Sequence, residues 1–191
     1  GQFMSLLLPD WRCQLGKYDR NHNLISFSSF VPQSVVQGWI GLLSVQLTNS
    51  LHTIIDVSGN SRSINPGSAN LRVNAPINDA SIGIVCGTGT DTVSINDYKL
   101  KSLIQSGSDE GRLQYSSVEF PNDYLVDTAT ALTDIRRFFT NASGKSINVR
   151  EIGIICYGYS TYRILIERTL INETLADEES LEVTYRLSKT I

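Results

Sequence analysis

The residues able to do chemistry in this chain are few, and their spacing serves none of the familiar reactions. His22 and His52 are the two histidines. Neither has a second ligand at metal spacing, which argues against zinc. A Ser–His–Asp relay would have to rest on one of these two in an unremarkable polar setting. Cys13, Cys86 and Cys156 form no CxxC pair. Cys86 and Cys156 close the apolar runs IGIVC and IGIIC, so they read as buried free thiols packing as small hydrophobes. A disulfide between them requires their strands to be neighbours. The odd count favours a reducing compartment during folding.

The remaining polar groups lead to the same end. Asp109, Glu110 and Asp177-Glu178-Glu179 fall in turns, where solvated loop tips explain them better than acid–base pairs or calcium ligands. Gly87-Thr88-Gly89 resembles part of a phosphate-binding loop, but the third glycine and the Lys-Ser/Thr of a P-loop are missing, so it reads as a tight strand exit. Arg136-Arg137 in a strand places one guanidinium on each face. The inward one needs a carboxylate, and Glu151 is the candidate. No catalytic residue, cofactor or metal is assigned, and the chain is read as not an enzyme.

The elements that would hold these residues are mostly strands. The 191 residues suffice for one domain with a real core, and a charged fraction of 18% with net charge -3 argues against a basic nucleic-acid surface. No apolar run approaches the length of a membrane span, and Leu6-Leu7-Leu8 lacks the basic flank of a signal peptide. The only Met, Met4, follows Gly1-Gln2-Phe3 and leaves the natural first residue open between Gly1 and Met4. Residues 1–30 combine an apolar stub, Pro9, Trp11, the polar loop KYDRNHN and a short strand at Leu24 to Phe27. They read as an extended N-terminal arm, laid on a neighbour or folded back on its own domain.

From Pro32 the period becomes helical. Ser34 is placed to cap a helix in which Val35, Trp39, Leu42, Leu43, Gln46 and Leu47 recur at three-four spacing, fading at Thr48 to Ser50. Gly38 and Gly41 weaken it by about 1 kcal/mol each and leave room for a close approach to another backbone. A buried strand, Ile82 to Cys86, is followed by the glycine turn and a short helix predicted over Tyr98 to Ile104, capped by Asn96-Asp97. Strands are expected at Leu51 to Val57, Asn70 to Asn74, Gly111 to Phe120, Tyr124 to Thr130 and Ala131 to Thr140. Asn141 to Gly144 reads as a hairpin loop, followed by strands at Ser146 to Cys156, Tyr162 to Leu170 and Ser180 to Leu187. The fold class is mainly β: an antiparallel β-sandwich with one N-terminal amphipathic helix and an extended arm (residues 1–30), the helix and sandwich occupying 31–191. A small barrel is the alternative.

The order of the pieces DVSGNSRS, NLRVNA, SIGIVCGTGTDTVSINDYKLKSLIQSG, GRLQYSSVEF, RRFFTNASGKSINVREIGI, ILIERTLI and LEVTYRLSKTI resembles a group of structural virion proteins of tailed bacteriophages. In that group a glycine-turn segment precedes D-Y-x-L. A G-x-L-x-Y strand follows, then F-T-N-x-S-G leading into V-x-E-x-G, and a closing V-T-Y strand. About two thirds of the chain is covered. The closing strand departs from the usual V-T-Y-T-I at Arg186 and Ser188-Lys189. The resemblance implies a repeated structural component of a head, neck, tail or baseplate, made in the host cytoplasm and localised to the virion. Its partners would be copies of itself and other virion proteins, without nucleic acid or membrane. The arm and helix would supply the contact residues: Leu6, Leu7, Leu8, Trp11, Trp39 and Leu43. A second reading is a receptor-facing glycan-binding domain, using Tyr157, Tyr159 and Tyr162 on one turn.

Overall fold

The computed structural model describes residues 9–191. The chain is mainly β, and its paired strands are antiparallel. One sheet has the order β2 (Leu24–Phe30), β1 (Asp10–Tyr18), β12 (Ser180–Thr190), β9 (Thr130–Thr140), β7 (Gln114–Tyr115), with β8 (Leu125–Val126) also on β9. A second has the order β3 (Ser34–Val35), β11 (Tyr162–Leu175), β10 (Ile147–Tyr159), β6 (Gly83–Gly87). A small hairpin, β4 (His52–Ile55) with β5 (Ser61–Ile64), and a helix, α1 (Gln37–Thr48), complete it.

The two large sheets differ in how their sequences bury. In the first, burial alternates: Cys13 and Leu15, Val183 and Tyr185, Arg137 and Phe139 point inward, the period-2 pattern of a sheet covered on one face. In the second, β10 is buried without interruption from Glu151 to Cys156, and β11 from Ile164 to Thr169. Such runs belong to strands covered on both faces. Tyr185 of β12 donates to Glu167 of β11, linking this sheet to the first. Gly153 has Leu100, from the long loop after β6, over its other side. Gly38 of α1 lies against Leu165 of β11, where an added Cβ would overlap the Leu165 carbonyl.

Several expectations are corrected. Residues 10–30 take the folded-back alternative, as strands of the first sheet and not as an extended arm: β1 pairs over its whole length with β12, and β2 pairs with β1. The alternation Trp11, Cys13, Leu15 was masked by the polar residues between them and by Gly16. Residues 1–8, including the contact candidates Leu6, Leu7 and Leu8, lie outside the described residues. The helix begins at Gln37, not Val35, because Ser34-Val35 pair with Arg168 and Glu167 of β11. Ser34 therefore caps nothing, and Val36 stands at the N-cap without a side-chain bond. No helix forms at 98–104, where the backbone is committed to side chains described below.

Asn141 to Gly144 is not a hairpin loop. β9 pairs with β12 while β10 pairs with β11, so this turn carries the chain from one sheet to the other. Ala176 to Glu179 carries it back. Asn141, fully buried, ties the two corners: its Nδ2 donates to Lys145 O and Leu175 O, and its backbone N–H donates to Glu179 O.

Candidate functional site

The groups singled out for chemistry are dispersed. His22 is exposed in the β1–β2 turn, and His52 Nε2 lies 3.3 Å from Thr48 Oγ1. The three cysteines are free and buried, and burial pushes the Cys86 and Cys156 thiols up to about 12. Cys86 sits opposite Ile152 of β10, four residues from Cys156, so the two strands are neighbours but the thiols are not paired. Among the described residues no group of three His, Cys, Asp or Glu is placed to hold a metal.

The glycine turn carries the most organised polar structure. Glu151 reaches up from β10 beneath the loop after β6. Its Oε1 accepts from Gly89 N at 3.1 Å and Ser102 N at 2.8 Å. Its Oε2 accepts from Lys101 N at 3.1 Å and Arg168 Nε at 2.7 Å. Cβ atoms on Gly87 and Gly89 would collide with this carboxylate. Successive amides gathered on one anion are the geometry of a phosphate-binding loop, and here the chain supplies the anion itself. Arg168 continues the network, donating to Asp97 Oδ2 at 2.9 Å and to Asp91 O at 3.0 Å. Asp97 also holds Lys101 Nζ at 2.8 Å. Burial alone would raise the Asp97 pKa, yet Lys101, the Ser94 N–H and Arg168 hold it below the ordinary carboxylate range. The loop is thus fixed by ion pairs and backbone donors in place of a helix.

Glu151 was expected to pair with the inward arginine of Arg136-Arg137; the structure gives it to Arg168. Arg137 is the inward one, fully buried, and has no carboxylate. Its guanidinium donates to five carbonyls: Ser116, Ile82, Ile84, Pro76 and Asp79, at 2.7 to 3.1 Å. Those carbonyls use every guanidinium donor, and Tyr115 lies under the cation at 4.8 Å. Burial lowers the Arg137 pKa to about 10. Arg136, on the other face, pairs with Glu119. The signal for Arg168 was present in ILIERTLI, where a charged pair interrupts an apolar strand on both sides; such a pair is enclosed and must find partners.

Glu167, beside Arg168 but on the opposite face, accepts from Tyr185 at 2.5 Å and from Thr169. Burial pushes its pKa to about 8, against the opposing effects of those hydrogen bonds and of Arg168. It stands at the floor of a cleft of about 670 Å³ walled by Trp11, Val31, Pro32 and Val35.

The contact candidates are partly used within the chain. Trp11 and Trp39 meet edge to face at 5.8 Å, and Trp11 also meets Tyr185 at 6.4 Å. Leu43 is half-buried on α1. Of the three tyrosines at the β10–β11 turn, Tyr157 and Tyr162 are stacked by arginines. Tyr157 lies under Arg72 at 4.6 Å and Arg163 at 4.4 Å, and Tyr162 under Arg62 at 4.0 Å. Tyr159 and Tyr162 contact each other at 5.9 Å.

Much of the exposed apolar surface lies at residues not named among the contact candidates, some within the same two segments, such as Ile40 and Leu47 of α1. Leu24, Ile25 and Phe27 of β2 are 56%, 49% and 59% exposed, and Tyr124, Leu125 and Val126 at the opposite flank of the same sheet are 78%, 53% and 54% exposed. Their signal was the absence of charge in LISFSSF and YLV. Among the described residues no helix is long and apolar enough to cross a membrane. The chain matches no family model, no curated protein and no solved structure.

Proposed function

We propose that this chain is a structural subunit of a tailed-bacteriophage virion, an antiparallel β-sandwich that works by contact with copies of itself and with other virion proteins in a head, neck or tail substructure. The observation that carries the reading is the apolar exposure at both flanks of the first sheet, around Phe27 and around Leu125. Clustered apolar side chains at a surface mark a site of association, and two flanks on one subunit allow a ring or lattice to close. The order of turn and strand motifs from Asp56 to the C-terminal strand supports the phage assignment. The polar groups support a packing role as well: the network around Glu151 and Arg168 is spent on holding a loop against the sheet.

The test is immunogold electron microscopy of intact particles, with an antibody to the exposed turn Asp177 to Glu179, joined to mass spectrometry of the same purified particles. Label on capsid, neck or tail supports the proposal. Protein confined to infected-cell extract and missing from particles overturns it. Label confined to the distal tip favours the glycan-binding reading, in which Tyr159→Ala would weaken attachment to host cells.

A further inference from the structure

We infer that the free edge of β2 pairs with β2 of a second copy of this chain, antiparallel about a two-fold axis at Phe27, joining two first sheets into one. The inference names the surface for the subunit contact proposed above and rests on that reading for its purpose.

The argument begins with how the other edges are treated. Along β9 lie β7 and β8, and between them Glu119 exchanges both backbone hydrogen bonds with Arg136. Along β11 lies β3, and beyond it Val36 N donates to Ile166 O, Val57 N to Arg163 O, and Leu170 N to the Gln33 side chain. The end of β10 left uncovered by β6 receives Asn70 and Arg72, whose carbonyls accept from Gly158 N and Tyr157 N. Short segments thus close each long edge, as expected where an open ladder would recruit other chains. β2 is the exception. It is seven residues long, its neighbour is β1, and among the described residues nothing lies along its other side.

The strand carries no charge or proline to repel a copy, and its one irregularity is the register shift at Ile25 against β1. LISFSSF contains no Lys, Arg, Asp, Glu or Pro, so no like charges oppose each other when it meets itself. Centring the pairing on Phe27 gives full overlap. Leu24 then faces Phe30 of the second copy, Ser26 faces Ser28, Ile25 faces Ser29, and Phe27 faces Phe27. Apolar residues meet apolar ones at the centre and both ends; between them Ser26 meets Ser28 and Ile25 meets Ser29. Directly opposed residues of an antiparallel pair have Cα atoms about 4.5–5.5 Å apart, within disulfide reach.

The experiment is sedimentation velocity on the full chain across its accessible concentration range, with oxidative cross-linking of a Phe27→Cys variant. Wild type sediments as a dimer, and Phe27→Lys as a monomer with an unchanged circular-dichroism melt, since Phe27 is exposed. Phe27→Cys forms a disulfide-linked dimer on mild oxidation, whereas wild type, its native thiols buried, forms none. Ser29→Cys cross-links with Ile25→Cys in a mixture and not with itself. Phe27→Ser repeats the monomer test should the lysine variant fold poorly. A monomeric wild type, a dimer that survives Phe27→Lys, or a dimer lost on deleting residues 1–8 while β2 is intact would each overturn the pairing. The last would assign the edge to the N-terminal segment. A dimer insensitive to β2 leaves the virion reading standing. Particles without the protein remove that reading and leave the pairing measurable on the purified chain.

Discussion

Glu151 Oε2 and Arg168 Nε meet at 2.7 Å with both side chains fully enclosed, between β10 and β11. The pair is diagonal within an unbroken stretch of register: Glu151 stands opposite Leu170 and Arg168 opposite Gly153. Its role is architectural. Through Gly89, Lys101 and Ser102 on one partner, and Asp97 and Asp91 on the other, it holds a loop of about fifteen residues against the sheet.

Removing one member leaves the other charged and buried. Glu151→Ala is expected to cost about 3–5 kcal/mol, read as a lower urea midpoint. The amides of Gly89, Lys101 and Ser102 should lose hydrogen-exchange protection before the β10 core does. Arg168→Lys should resemble loss of the residue, because an ammonium lacks the planar fork needed to reach Glu151, Asp97 and the Asp91 carbonyl together. Protection of those amides in Glu151→Ala equal to wild type would refute the pinning role.

Arg137 makes a sharper case, since its partners are all carbonyls. Lysine brings three donors where five are used, leaving at least two buried acceptors at about 1–3 kcal/mol each. Arg137→Lys should therefore lower stability by about 3 kcal/mol or more, visible in equilibrium unfolding. An exposed-arginine cost near zero would show that the carbonyls rearrange or hydrate.

The helix glycines should respond in opposite directions. Alanine gains about 1 kcal/mol of helix propensity over glycine at either site. At Gly38 the new methyl meets the Leu165 carbonyl, a backbone atom that is slow to yield, so Gly38→Ala should lose about 1–3 kcal/mol to overpacking. At Gly41 it meets Ile54 Cδ1 at 2.9 Å, the mobile end of a side chain, so Gly41→Ala should be near neutral or stabilising. Thermal melts of the two variants side by side decide this.

The pH dependence follows from Glu167. Its folded pKa, about 8, lies above the unfolded value of about 4.3, so the native state binds the extra proton between them. That contribution to stability is full below the unfolded pKa and is lost as pH rises through about 8. The groups around Glu167 are Tyr185, Thr169, Arg168 and Cys13. Burial, with Glu167 next, raises Tyr185 well above its ordinary range, so Tyr185 remains the donor throughout. Asp97 and Asp134 have the opposite sign: held below their usual range, they lose stability only as pH falls through their own depressed values. Glu167→Gln should flatten the decline in stability between pH about 4.3 and about 8, and leave the loss below the depressed Asp97 and Asp134 values unchanged, as followed by melting temperature against pH.

Local signals in the chain were sufficient for its class and for most of its strands. Alternation over Ser146 to Cys156 and Tyr162 to Leu170, with a turn at Tyr157 to Thr161 between, identified the β10–β11 hairpin, because side-chain period and turn chemistry are properties of neighbouring residues. The same reasoning found β6, β9 and β12. It failed at 98–104, where Asn96-Asp97 looked like a helix start, and at Ser34, where pairing with β11 outweighed a capping preference.

What tertiary structure alone decided was which segments meet. Asn141 to Gly144 has hairpin composition, yet its flanking strands belong to different sheets, since the partner of β9 is β12, forty residues on at Ser180. Residues 10–30 looked like an arm because β1 finds its partner at the far end of the chain. Glu151 and Arg137 were both recognised as charges needing partners, and the partners were misassigned. A buried charge states its need in the sequence, but five carbonyls from two separated segments, or an arginine seventeen residues on in the next strand, are assembled only when the sheets close. The physical reason is that propensity and periodicity act over a few residues, whereas the cost of enclosing a charge is settled by everything within hydrogen-bond reach in three dimensions.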